Sequence, residues 1–189
     1  MNKSLKYFLA CSVTLIICFY TIIFIESKRK IEKVNIPTYI NYYKYGITTD
    51  DFITLCDTIA KYEGLMCIPY KYNNYFYIGY GHQIKTNESL NKIDSILARE
   101  ILYEDVDIAL NEAFRVTHLT GNKLLAISDF IFNYGTSKLI NSSLYSVLLA
   151  NSNDTLKIKN ELLKWNKIDG KTHPKLLQRR NFDYWLYIK

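Results

Sequence analysis

Gly64 separates two stretches whose side-chain periods cannot belong to one element. Upstream, Phe52, Leu55, Ile59 and Tyr62 recur at helical spacing and form one apolar stripe. That helix starts after Thr48 or Thr49, with Asp50 and Asp51 in its first turn, where the dipole favours negative charge. Downstream, Tyr70 and Tyr72 lead into Asn73-Asn74 and then Tyr75-Phe76-Tyr77-Ile78, aromatic residues flanking a turn pair, which reads as a β-hairpin. Gly79-Tyr80-Gly81-His82 closes the hairpin, the glycines permitting close backbone approach. A helix that stops at a left-handed Gly64 cap and feeds a hairpin commits the chain to an α+β class, with Glu63 on the last helical turn.

Beyond Ser89 the pattern is helical. Ile93, Ile96, Leu97, Ile101 and Ile108 mark a long helix from about Asn91 to Arg115. Further helices are expected in NKLLAISDFIFNYG, NSSLYSVLLANS, TLKIKNELLKWNK and PKLLQRRNFDYWLYIK. The expected architecture over residues 48–189 is a small hairpin lobe and a larger helical lobe joined by the long helix. A cleft between the lobes is the natural ligand site.

The first 33 residues have a different character. YFLACSVTLIICFYTIIFI carries no charge, glycine or proline, and its residues 8–25 would span about 27 Å as a helix, close to a bilayer's hydrocarbon thickness. Without a small-residue cleavage site after it, the run reads as an uncleaved N-terminal transmembrane helix, and a removed signal peptide is the alternative. Residues 34–47, with Pro37 and Gly46 and no helical period, read as a tether. Lys28, Arg29, Lys30 and Lys33 outnumber Lys3 and Lys6, so charge counting alone would leave the body in the cytoplasm.

Composition narrows the function classes. A hydrophobic fraction of 49% and a charged fraction of 22% are those of a folded chain. The net charge of +6 is concentrated before residue 34, which leaves no basic face for nucleic acid. Cys56 and Cys67 are a candidate disulfide of unassigned connectivity, and scattered histidines without a Cys cluster argue against a metal site or a cofactor.

The chemistry-bearing residues form an ordered series. Glu63-Gly64-Leu65, Tyr70 and Gly79-Tyr80-Gly81-His82 resemble the E-G-L…Y…G-x-G-H signature of phage-type lysozymes, the endolysin muramidases that cut peptidoglycan glycan strands. Phe132-Asn133-Tyr134-Gly135 resembles the family's F-N-x-G turn, and Ser143-Leu144 its next helix start. Trp165 with Gly170-Lys171 resembles its W…G-K segment. Leu176-Leu177-Gln178-Arg179-Arg180 resembles the closing helix, with Lys175 in place of a glycine.

The resemblance implies a lysozyme-like fold, with Glu63 as general acid on peptidoglycan cleaved between N-acetylmuramic acid and N-acetylglucosamine. The position suits that role, because a helix C-terminus and partial burial both disfavour an ionised carboxyl. The resemblance also implies an Asp and a Thr in the hairpin. Here Tyr72 or Asn73 stands at the first and Tyr77 at the second, so these three are the candidates for positioning water or substrate. None is a competent general base near neutral pH, and a catalytically impaired glycan-binding protein is the alternative function. His82 reads as a structural histidine with a catalytic base as its rival role, Arg179 and Arg180 as partners of acids on neighbouring helices, and Asn133 as a turn residue or sugar ligand. The resemblance to signal-anchor endolysins implies export and tethering at the inner membrane, and a substrate outside that membrane favours an external body against the charge count; a monomer is expected.

Overall fold

A computed structural model describes residues 42–189, so the uncharged run at residues 8–25 and residues 34–41 of the tether lie outside the described residues. Helix α1 (Thr49–Glu63) opens through a reciprocal cap. The Thr48 hydroxyl accepts from the Asp51 N–H at 3.1 Å, and the Asp51 carboxylate accepts from the Thr48 N–H at 2.9 Å. Its buried face is Phe52, Leu55, Cys56 and Ile59. Gly64 has the expected positive φ of 75°, but its ψ of 157° sends the chain directly into a strand instead of completing a left-handed cap.

Strands β1 (Met66–Tyr72), β2 (Tyr75–Gly79) and β3 (His82–Gln83) form an antiparallel sheet in that order. Asn73 (φ 45°) and Asn74 (φ 69°) make the tight two-residue turn, closed by the Tyr72–Tyr75 pair. On the sheet's far side, Ile78 packs with Ile93 and Ala98 into a small core of its own. Helix α2 (Ser95–Thr117) therefore starts later than its apolar period implies. Asp94 caps it by accepting from the Ile96 and Leu97 N–H groups at 3.0 and 2.8 Å, and Ile93 serves the hairpin lobe instead.

The helical lobe is built around α3 (Gly121–Tyr134), which is buried without interruption from Leu124 to Ile131. Around it lie α4 (Thr136–Ile140), α5 (Ser143–Asn151), α6 (Thr155–Leu163) and α7 (Pro174–Ile188). A small hairpin that the helical reading missed, β4 (Lys167–Ile168) with β5 (Lys171–Thr172), turns at Asp169 and Gly170, both at positive φ. Among the described residues no helix is long and apolar enough to cross a membrane. Cys56 and Cys67 are both free thiols.

The segment read as the end of a tether is core. Tyr42–Tyr45 forms a turn of 3-10 helix, and Tyr42, Tyr45 and Ile47 are buried. Tyr42 stacks on Phe52 at 4.6 Å, while Tyr45 meets Phe114 edge-on at 5.0 Å and donates its hydroxyl to Asn111. Aromatic burial of this kind stabilises a segment that has no regular period to betray it. Tyr45→Ala should cost about 3–5 kcal/mol in chemical denaturation. An unchanged midpoint would return the segment to the role of a tether.

Candidate active site

Glu63 ends α1 with 25% of its side-chain surface open to a cleft of about 620 Å³. The hairpin supplies one wall through Tyr70, Tyr72, Tyr77 and Gln83. The end of α3, from Phe132 to Gly135, supplies the other. Tyr70 and Tyr77 are cross-strand partners with rings stacked at 5.8 Å, and Tyr72 meets Tyr77 edge-on at 6.3 Å. Burial and the nearby Glu63 charge both push the Tyr70 hydroxyl pKa upward. Gly81 has to be glycine here. Its φ is +87°, a backbone conformation that side-chain-bearing residues rarely adopt, whereas a Cβ there would make only ordinary contact with Glu63 Oε2 at 3.5 Å.

The Glu63 carboxylate is not left to solvent. Arg179, on α7, donates from Nη1 to Glu63 Oε1 at 2.5 Å. The same guanidinium donates from Nη2 to Asp129 Oδ1 at 2.7 Å and from Nε to Asp129 Oδ2 at 3.1 Å. The Tyr62 and Phe132 rings flank it at 5.4 and 5.8 Å. Burial opposes ionisation of Asp129 more strongly than any one neighbour favours it, but the Arg179 charge, the hydrogen bonds with Asp183 and Arg179 and the Arg180 charge together outweigh it and hold the pKa at about 2. Deeper still, Arg180 lies 3.0 Å from Asp183 and over the rings of Phe130 and Tyr134. Burial, reinforced by the Asp129 charge, pushes the Asp183 pKa well above the usual carboxylate range. Sequence reasoning placed both arginines against helical acids, and the structure agrees. It missed that Arg179 also grips Glu63, a contact across 116 positions that no local pattern signals.

Of the three hairpin candidates, Tyr72 and Tyr77 line the cleft with Glu63, whereas Asn73 sits in the turn and does not. Asn133 lines the opposite wall with its side-chain oxygen buried and without a protein partner among the described residues. Gln83 was not anticipated, because its place on the cleft face follows from its pairing with Tyr77 and not from any motif. Among the described residues no carboxylate other than Glu63 lines this cleft. An adjoining hollow of about 290 Å³ has two, Asp105 and Glu112, but the first is bound to His82 and the second to Arg115. Among the described residues no three His, Cys, Asp or Glu side chains gather as a metal site.

His82 takes the structural role. Its Nδ1 lies 2.8 Å from Asp105 on α2 and its Nε2 3.0 Å from Glu88, tying the hairpin exit to the long helix. The hydrogen bond to Asp105 raises its pKa against the opposing effect of burial, and the Asp105 and Glu88 charges add to it.

Residues 60–183 match the phage lysozyme family. Among curated proteins, the chain is 30% identical over 135 residues to the endolysin of Bacillus phage B103, covering 69% of this chain and 51% of that one. The chain spans about half the length of the curated relatives it matches. Among solved structures it is similar to the muramidase domain of SpmX from Asticaccaulis excentricus. That similarity has a TM-score of 0.62 and 19% identity, covering 72% of this chain and 95% of that one. The endolysin of Escherichia coli O157:H7 phage FAHEc1 gives 0.59 and 22%, covering 71% and 90%. At these identities the structural likeness speaks to fold.

The His82 bridge carries its own pH signature. A pKa raised by folding contributes stability that is complete below the unfolded value, about 6.5, and lost as pH rises through the folded one. The denaturation midpoints of the wild type and His82→Asn should therefore differ most below about pH 6.5 and converge as pH rises above it. A gap that widened with pH would contradict the bridge.

Proposed function

The chain belongs to the phage lysozyme family, and from that premise we propose that it hydrolyses peptidoglycan. The bond cut is the β-1,4 linkage between N-acetylmuramic acid and N-acetylglucosamine, with Glu63 as general acid. The observation that carries this reading is Glu63 itself, fixed by Arg179 at a helix end and facing a tyrosine-lined cleft large enough for sugar rings. Glu63 gives a proton to the glycosidic oxygen as the bond to the anomeric carbon lengthens. A retaining enzyme needs a second carboxylate about 5–5.5 Å away as nucleophile. With Glu63 the sole acid among the described residues of the cleft, water completes the reaction from the hairpin side. Glycan strands are the partner, and degradation of a bacterial wall during lysis is the role.

The missing second acid also favours a rival, a lysozyme fold that binds glycan without turning it over. Clearing of peptidoglycan suspensions by the full chain beside Glu63→Gln separates the two. The hydrolase reading expects clearing by the wild type and a loss of about 10²–10⁴-fold in the variant. Equal, negligible clearing by both, with retained binding of chitooligosaccharides, would establish the rival.

We propose further that residues 8–25 anchor the chain in the cytoplasmic membrane with the body outside, where its substrate lies. The uncharged run supports this reading and the flanking lysines oppose it. A reporter fused after Lys189 should be active on the external side. Activity confined to the cytoplasm would refute the topology.

A further inference from the structure

We propose that Gln83 positions the attacking water, taking the place of the acid that the hairpin lacks. This rests on the hydrolase reading and adds to it a residue that no sequence motif marks. Tyr70 pairs with Tyr77 across β1 and β2, and Tyr77 pairs with Gln83 across β2 and β3. Paired residues of antiparallel strands point to the same face, so these three side chains form one row across the sheet. All three line the cleft that Glu63 lines. Within that row only Gln83 offers both a carbonyl acceptor and an N–H donor on a flexible arm. Its carboxamide has no protein partner among the described residues and is free to bind what enters the cleft. Gln83 also borders the adjoining hollow, so it stands where water reaches the site.

A carboxamide orients water without accepting its proton, and the step balances on that basis. Glu63 transfers its proton to the leaving oxygen as the glycosidic bond breaks. The water held by Gln83 and the Tyr77 hydroxyl bonds through oxygen to the anomeric carbon. Its surplus proton passes to solvent, from which Glu63 is reprotonated.

The test uses the full chain and soluble uncross-linked glycan strands, comparing the wild type with Gln83→Leu, Gln83→Glu and Glu63→Gln. Gln83 is solvent-exposed, so its replacements should leave the unfolding midpoint unchanged. For Gln83→Leu we expect kcat to fall by about 10–10²-fold with KM nearly unchanged, because water is misplaced while sugar binding is kept. For Gln83→Glu we expect a new acidic limb in the pH dependence of kcat, as a carboxylate at this position can act as base only when ionised. Wild-type kcat in Gln83→Leu, a change in KM alone, or a Gln83→Glu profile without the new limb would each overturn the assignment. Those results beside an inactive Glu63→Gln would leave the hydrolase reading standing. Equal inactivity of the wild type and Glu63→Gln would remove both.

Discussion

The site depends on one guanidinium. Arg179 reaches from the last helix, binds Asp129 on the central helix through two nitrogens and presents a third to Glu63 at the end of the first. Three elements far apart in the chain are thereby held to one geometry at the point where catalysis is proposed. The arrangement stands on burial, since Arg179 is 3% exposed and Asp129 fully enclosed. Removing one partner of such a pair leaves an uncompensated buried charge, costing about 3–5 kcal/mol. Arg180 and Asp183 extend the polar cluster behind it, with Asp183 pushed toward its neutral form by burial and by Asp129.

Against that fixed acid stands a hairpin whose cleft face is aromatic and amide. Its shape follows from a few local constraints. Gly64 turns helix into strand, Asn73 and Asn74 close the turn, and Gly81 takes the positive φ that the chain needs beside the Glu63 carboxyl. His82 then ties the hairpin's exit to α2 through Asp105. The hairpin is therefore held at both ends, to α1 through Gly64 and to α2 through His82. Rings on such a support can stack on sugars and exclude water, while the amide and hydroxyls orient what water remains.

What could be read from the chain beforehand had local signals. The helical stripe through Phe52, Leu55 and Ile59, the Asn-Asn turn and the glycines around His82 each express a backbone or packing requirement within a few residues. The hidden features depend on tertiary pairing. Tyr42 and Tyr45 look like linker residues until Phe52 and Phe114 are brought against them. The Asp169-Gly170 turn is too short to show a strand period on either side. Asn73 lay beside Tyr72 in the sequence, yet the turn carries it away from the cleft, while Gln83 is brought in by register. The contact of Arg179 with Glu63 is of the same kind.

The central claim is that Glu63, positioned by Arg179, is the acid that meets the glycosidic oxygen. The most direct measurement is a crystal structure of the Glu63→Gln variant with a glycan fragment spanning the cleft. The account predicts the scissile oxygen within about 3 Å of the residue 63 side chain, with the hairpin row on the opposite side of the sugar. A fragment bound elsewhere, or one whose linkage lies beyond hydrogen-bond reach of residue 63, would contradict it.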